Sequence, residues 1–69
     1  MTPYAAKARF LSRKAWLTLG KAREARTAAI MADTELMRLI MQGYCGDMVR
    51  IARCYIRTAN LYRDMEGRP

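Results

Sequence analysis

The 69-residue sequence contains no histidine, one serine and only six acidic residues. Histidine is the usual general base near neutral pH, and its absence removes the commonest route to acid–base catalysis. The carboxylates are scattered along the sequence, and it contains neither a glycine-rich phosphate loop nor a zinc-type ligand spacing. The chain is therefore predicted not to be an enzyme and to hold no metal or cofactor.

Cysteines and long apolar runs are equally scarce. Cys45 and Cys54 lie nine residues apart on one predicted helix, a rise of about 13.5 Å that excludes a disulfide between them. Without a disulfide framework, we expect a reducing, cytoplasmic setting. No run approaches the roughly 18 apolar residues of a membrane span, so no membrane partner is expected. A non-enzyme is also expected to have no small-molecule substrate.

Positive charge is what the chain has in excess. Thirteen Lys and Arg residues against six Asp and Glu residues give a formal net charge of +7, and ten of the thirteen are arginines. This balance favours an acidic partner: nucleic acid, an acidic protein surface or an anionic membrane surface. Arginine is suited to planar, bidentate or stacked contacts.

The second half of the chain carries apolar residues at steps of three and four, which predicts one helix over about residues 34–65. This stripe comprises Met37, Met41, Tyr44, Met48, Ile51, Tyr55, Thr58, Tyr62 and Met65. A second apolar line lies beside it and comprises Cys45, Val49, Ala52, Ile56 and Ala59. The opposite side is polar and should be solvated; it holds Arg50, Arg53, Arg57, Asn60 and Asp64.

The first half predicts a helix over about residues 3–31, which Thr2 and Pro3 are suited to begin. Its stripe comprises Tyr4, Ala8, Leu11, Ala15, Leu19, Ala22, Arg26 and Ala29. A turn at about 31–33 follows, with Asp33 as the expected cap of the second helix. The tail, residues 66–69, is expected to fray.

These elements predict a single all-α domain over residues 1–69, an antiparallel hairpin of two long helices. Folding at the turn would place the small residues of helix one against the large ones of helix two, with Tyr4 near Tyr62. The alternative is three helices, with a break at Gly20 or at residues 43–47, where Asp47 could cap a new helix.

The apolar arc of helix two is too wide for one neighbouring helix to cover. We therefore expect a homodimer, in which two hairpins form a four-helix bundle. The sequence leaves open which helix forms the contact between copies. The expected core and dimer residues are Leu11, Leu19, Tyr44, Met48, Ile51, Tyr55, Ile56 and Tyr62.

Helix one carries two groups of candidate partner-binding residues outside the hairpin seam. Trp16 shares a face with Arg9, Arg13 and Arg23, and Trp and Arg dominate interface hot spots. The second group comprises Phe10 and Leu17, which lie among Lys7, Lys14 and Lys21. Either group could instead be covered in the dimer, with the cations extending over it.

The segment Ala8-Arg9-Phe10-Leu11, followed by Lys14 and Lys21, resembles the first helix of the plasmid-encoded RNA-one-modulator family. That family forms a hairpin that dimerises into a four-helix bundle and grips paired RNA loops. The resemblance covers residues 8–21 and implies that Phe10, Lys14 and Lys21 contact RNA. Binding of RNA or DNA by a basic helical bundle is therefore one functional hypothesis.

The chain as a whole resembles the small, basic, histidine-free helical proteins that temperate phages use to disable host regulators, such as the anti-quorum-sensing type. The likeness lies in its length, its Ala-, Arg- and Met-rich composition and its hairpin plan, so no site residues follow from it. It implies a dimeric inhibitor that captures a larger host protein in the cytoplasm of a bacterium. This is the favoured hypothesis, with Trp16, Phe10 or Leu17 as the inserted anchor.

Overall fold

The computed structural model describes residues 3–67, which form two α-helices and no strands. Helix α1 spans Pro3–Ile30 and helix α2 spans Glu35–Glu66. The two helices pack side by side along their lengths and give a rod with extents of 55 × 15 × 11 Å. The predicted all-α helical hairpin is confirmed. The proposed cap at Thr2 and the frayed residues 68 and 69 lie outside the described residues.

The connection between the helices is a tight turn over residues 31–34. Thr34, and not the expected Asp33, caps α2: its backbone is extended, and its hydroxyl accepts a hydrogen bond from the Met37 N–H at 3.2 Å. A hydroxyl at this position satisfies an amide that has no partner within the helix. Glu35 lies in the first turn, near the positive end of the helix dipole, and pairs with Arg38.

Helix α2 is continuous through Gly43 and Gly46, so the three-helix alternative is wrong. A Cβ atom added at either glycine would meet no heavy atom within 4 Å. Neither glycine is therefore required by a close approach or by an unusual backbone angle. At the far end the Gly67 N–H donates to the Arg63 carbonyl at 3.2 Å and closes the last turn.

The seam between the helices is made of alanine on both sides, which corrects the expected packing of small against large residues. Every buried residue among positions 3–67 is an alanine: Ala8, Ala15, Ala22, Ala25 and Ala29 on α1, and Ala52 and Ala59 on α2. Small side chains on both helices let the two backbones approach closely. The larger residues predicted for the seam therefore lie at its margins, and Tyr44, Ile51 and Thr58 are exposed.

The open end of the hairpin is held by polar and aromatic contacts. The rings of Tyr4 and Tyr62 stack with centroids 6.1 Å apart, which confirms the predicted pairing. The Lys7 ammonium lies 5.5 Å from the centroid of the Tyr62 ring. One turn further along, Arg63 donates a 2.7 Å hydrogen bond to the Ser12 hydroxyl across the seam. These contacts fix the register of the two helices.

The hairpin exposes more surface than a compact protein of its size. Its accessible area is 5560 Å², whereas about 4,400 Å² is expected for a compact monomer of this mass. Its radius of gyration is 15.8 Å, against about 11 Å for a compact chain of this length. The excess of roughly 1,100 Å² exceeds the ~800 Å² that each partner contributes to a standard interface.

Candidate functional site

The two helices lie in one plane, and the hairpin therefore has two broad faces with different chemistry. One face, here called the arginine face, carries Trp16 and cations from both helices: Arg9, Arg23, Arg26, Arg38, Arg53 and Arg63. Two shallow grooves show that the helices share this face. Arg26 of α1 and Arg38 of α2 line the groove near the turn, and Arg9 and Arg63 line the groove near the open end.

Trp16 is the most accessible aromatic side chain among the described residues, with 68% of its surface exposed. Arg23 lies two turns further along α1, and its guanidinium carbon is 5.8 Å from the centroid of the Trp16 ring. An arginine at this distance is attracted to the ring and holds it in place. Trp16, Leu19, Gly20 and Arg23 line a small depression of about 70 Å³.

Positive charge on the arginine face is only partly neutralised. Arg38 pairs with Glu35, and Arg63 is held by Asn60 and Ser12. Arg23, Arg26 and Arg53 are exposed and form no ion pair within residues 3–67. The face therefore combines one large exposed aromatic ring with available guanidinium groups, the two side-chain types that dominate interface hot spots.

Phe10 and Leu17 occupy a different part of the surface, on the outer edge of α1. They are 59% and 61% exposed. A depression beside Phe10 is lined by Ala6, Arg9 and Arg13, all from α1, so α2 does not contribute to it. The Lys14 ammonium lies 5.3 Å from the centroid of the Phe10 ring. The predicted partner-binding residues therefore form two groups, with Trp16, Arg9 and Arg23 in one and Phe10 and Leu17 in the other. Arg13, predicted beside Trp16, lines the depression at Phe10 instead.

The opposite face, here called the stripe face, holds an exposed heptad stripe on α2. Its members follow at steps of three and four residues throughout: Met37, Ile40, Tyr44, Asp47, Ile51, Cys54, Thr58, Leu61 and Met65. All nine are exposed, although six of them are large and apolar. Lys7, Lys14 and Lys21 flank the stripe from α1, and a groove lined by Lys21 and Tyr44 joins the two helices here.

The predicted core and dimer residues divide between the seam and the surface. Leu11, Leu19, Met48, Tyr55 and Tyr62 are half-buried at the margins of the seam. Tyr44 and Ile51 are exposed on the stripe face, and Ile56 is exposed beside the arginine face. Cys45 is half-buried and Cys54 is exposed, and both are free thiols.

Two surfaces are absent from the sequence prediction. The first is the exposed stripe. It was not distinguished from the predicted apolar stripe, because Asp47, Cys54 and Thr58 interrupt its apolar pattern. The second is the apolar tip of the hairpin, where Ile30, Met31 and Leu36 are exposed around the turn. The signal for the stripe was present as an unbroken 4-3 spacing that starts at Met37 and includes polar positions.

Over residues 3–67, neither helix is long and apolar enough to cross a membrane. The same residues contain no cluster of three side chains that could hold a metal ion.

Comparison with known proteins finds no matching family model, no matching curated protein and no matching solved structure.

Proposed function

We propose that this chain is a small homodimeric binding protein that captures a larger protein, such as a host regulator, and inhibits it without catalysis. Trp16 and the guanidinium groups around it would form the contact surface. The partner's surface would be acidic and would offer a pocket for the indole ring. Phe10 and Leu17, on the neighbouring edge of α1, would extend the contact.

The observation that carries this proposal is the exposure of Trp16 under Arg23. A tryptophan that served only the hairpin core would be expected in the seam, yet alanines fill the seam and Trp16 lies outside it. The cation–π contact places Arg23 over the ring without burying it. Such a pair is pre-ordered for binding, because the ring has less freedom to lose when a partner covers it.

A pull-down with tagged protein, performed after nuclease treatment, tests the proposal. We expect a specific protein to be retained by the wild type and lost from the Trp16→Ala variant, with weakening of at least about 30-fold for a hot-spot residue. Trp16→Phe should recover part of the binding. Leu36→Ala, which trims an apolar residue of the same 68% exposure on the outer side of α2, is the matched control and should bind normally.

Unchanged retention by Trp16→Ala would exclude the arginine face as the contact surface. Loss of the dimer in Trp16→Ala, measured by light scattering, would instead show that Trp16 is a dimer residue. Each result contradicts the proposal in a different way.

Binding of RNA or DNA is the second candidate, and the contact between Lys14 and the exposed Phe10 ring favours it. An exposed ring can stack on a base while lysines contact phosphates. In that case Lys14→Gln and Lys21→Gln would each make the slope of log affinity against log salt concentration less steep, by the amount expected for about one lost phosphate contact. Retention of the captured protein after nuclease, together with no gel shift at low salt, would exclude this candidate.

A further inference from the structure

We propose that two copies of the chain pair through the exposed stripe of α2, antiparallel, about a two-fold axis that passes between residues 52 and 53. This inference rests on the homodimer in the proposed function and specifies the face, the orientation and the register of the contact. The arginine faces then point away from each other on opposite sides of the dimer.

The exposed stripe has the geometry that another helix requires. Six of the nine positions at 4-3 spacing over residues 37–65 carry large, exposed apolar side chains, and apolar residues at this spacing are typical of a helix that packs knobs into the holes of a second helix. The stripe runs for about 42 Å along α2. It is centred about 130° around α2 from the alanine seam, so it lies towards the outer side of the helix and is open to a second helix.

The orientation follows from Asp47. In a parallel pair each position faces its own copy, so the two Asp47 carboxylates would oppose each other at the centre of the contact. Like charges so placed are destabilising. In an antiparallel pair a stripe residue does not face its own copy. Asp47 of one chain then faces a different residue of the second chain.

The register follows from matching the stripe with itself. With the axis between residues 52 and 53, each layer pairs one residue with a different residue of the second copy. The pairs are Ile40 with Met65, Tyr44 with Leu61, Asp47 with Thr58, and Ile51 with Cys54. The two most polar members, Asp47 and Thr58, meet in one layer, and every position from Ile40 to Met65 has a partner.

Shifting the pairing by one heptad in either direction removes this match. One shift places Asp47 against Ile51 and Thr58 against Ile40. The other places Asp47 against Met65. The proposed register and the first shift each leave one end residue of the stripe unpaired, Met37 and Met65 respectively, so the layers decide between them. Both shifts set the Asp47 carboxylate against an apolar side chain, which carries a desolvation cost.

Helix α1 limits how closely the two hairpins approach. Tyr4 stacks on Tyr62, so Lys14, ten residues further along α1, lies level with Ala52 near the axis. The same register brings Lys7 of one copy level with Lys21 of the other. These lysines would stay hydrated at the edge of the apolar contact between the α2 helices, and those of the two copies would repel each other.

Cross-linking of the native cysteine tests the contact without changing any residue. Cys54 lies on the stripe beside the axis, and two copies would be offset by only about 4.5 Å along the helices. A short bismaleimide should therefore join Cys54 of the two copies in the wild type and in Cys45→Ser, and not in Cys54→Ser. Absence of a cross-linked dimer from Cys45→Ser would overturn the proposed contact.

A pair of variants tests the orientation in a cysteine-free background with Cys45→Ser and Cys54→Ser. The Tyr44→Cys and Leu61→Cys chains should cross-link to each other when mixed, and neither should cross-link to itself, because like positions would lie about 25 Å apart. Self-linking of each variant would overturn the antiparallel register. Circular dichroism of both variants confirms that the hairpin is intact before the test.

These outcomes separate the register from the function. Self-linking of each variant, in a dimer that still captures its protein partner, would overturn only the register. The expected cross-links in a protein that captures nothing through Trp16 would overturn the proposed function and leave the register intact.

Discussion

The two faces of the hairpin differ in how much apolar surface each exposes to water. The arginine face is accessible but hydrated, since guanidinium groups and a single indole ring can remain in water with their polar atoms satisfied. The stripe face exposes six large apolar side chains along one row, interrupted by Asp47, Cys54 and Thr58, and exposed apolar surface of this extent is typical of an interface. Our proposal therefore assigns self-association to the stripe face and partner recognition to the arginine face.

The alanine seam explains why the division arises. Within residues 3–67, seven buried alanine methyl groups contribute only about 6 kcal/mol of gross transfer free energy, and no large side chain is fully buried. A core this thin leaves the large residues of α2 outside it. Their burial against a second copy would supply the stabilisation that the seam lacks.

The largest expected effect comes from a charge on the stripe. Ile51 is 39% exposed in the single hairpin and lies next to the proposed axis. Ile51→Glu should weaken the dimer by at least about 3 kcal/mol, because two unpaired carboxylates would be buried close together. Sedimentation equilibrium measures this change. Leu39→Glu, on the arginine-face side of the same helix and away from the stripe, should leave the dimer unchanged, and equal weakening by both variants would contradict the assignment of the stripe.

A larger side chain in the seam should destabilise the whole hairpin, and with it both faces. Ala15→Leu places a larger side chain where the helices are in contact, and overpacking of this kind costs about 1–3 kcal/mol. Thermal unfolding followed by circular dichroism should show a lower Tm. Ala6→Leu, at an exposed position on α1, provides the control and should leave the Tm nearly unchanged. A Tm for Ala15→Leu equal to that of the wild type would show that the seam tolerates separation.

Salt should act on the two faces with opposite signs. Raising the salt concentration screens the lysine rim and should tighten the dimer, while it weakens attraction between the arginine face and an acidic partner. We expect changes of a few-fold to roughly tenfold in each dissociation constant. Sedimentation and titration calorimetry across a salt series measure the two constants. Parallel responses would indicate that one surface serves both contacts.

The smallest expected effect concerns the turn, which belongs to neither face. Thr34→Ala removes the hydroxyl that caps α2 and should lower the free energy of unfolding by about 1 kcal/mol. Asp33→Ala should have a smaller effect, because its side chain makes no capping contact within the described residues. Urea unfolding distinguishes the two, and a larger loss for Asp33→Ala would reverse the assignment of the cap.

The helical periodicity was sufficient to predict the fold. Steps of three and four residues mark both helices, and the polar residues near position 33 mark the turn. Choosing between adjacent caps requires the backbone geometry, since Asp33 and Thr34 both carry suitable side chains. The continuity of α2 through two glycines also depends on packing along its length, which propensity alone does not reveal.

The seam was harder to predict than the helices. Two adjacent apolar lines on α2 are offset by one residue, about 100° around the helix, and either could face α1. The sequence predicted Tyr44 and Ile51 in the seam because folding at the turn pairs them with the small residues Ala22 and Ala15 of helix one. The structure instead places Ala52 and Ala59 there, because alanine on both sides gives the closest approach of two helices. Trp16 and Arg23 could be predicted as neighbours from their seven-residue spacing.

The central claim is that a single hairpin is half of the stable unit, and the mass of the wild-type protein in solution tests it most directly. Sedimentation equilibrium at micromolar concentration should give twice the chain mass of 7.9 kDa, with a fully helical circular dichroism spectrum. A helical, soluble species of 7.9 kDa at the highest concentration measured would contradict it.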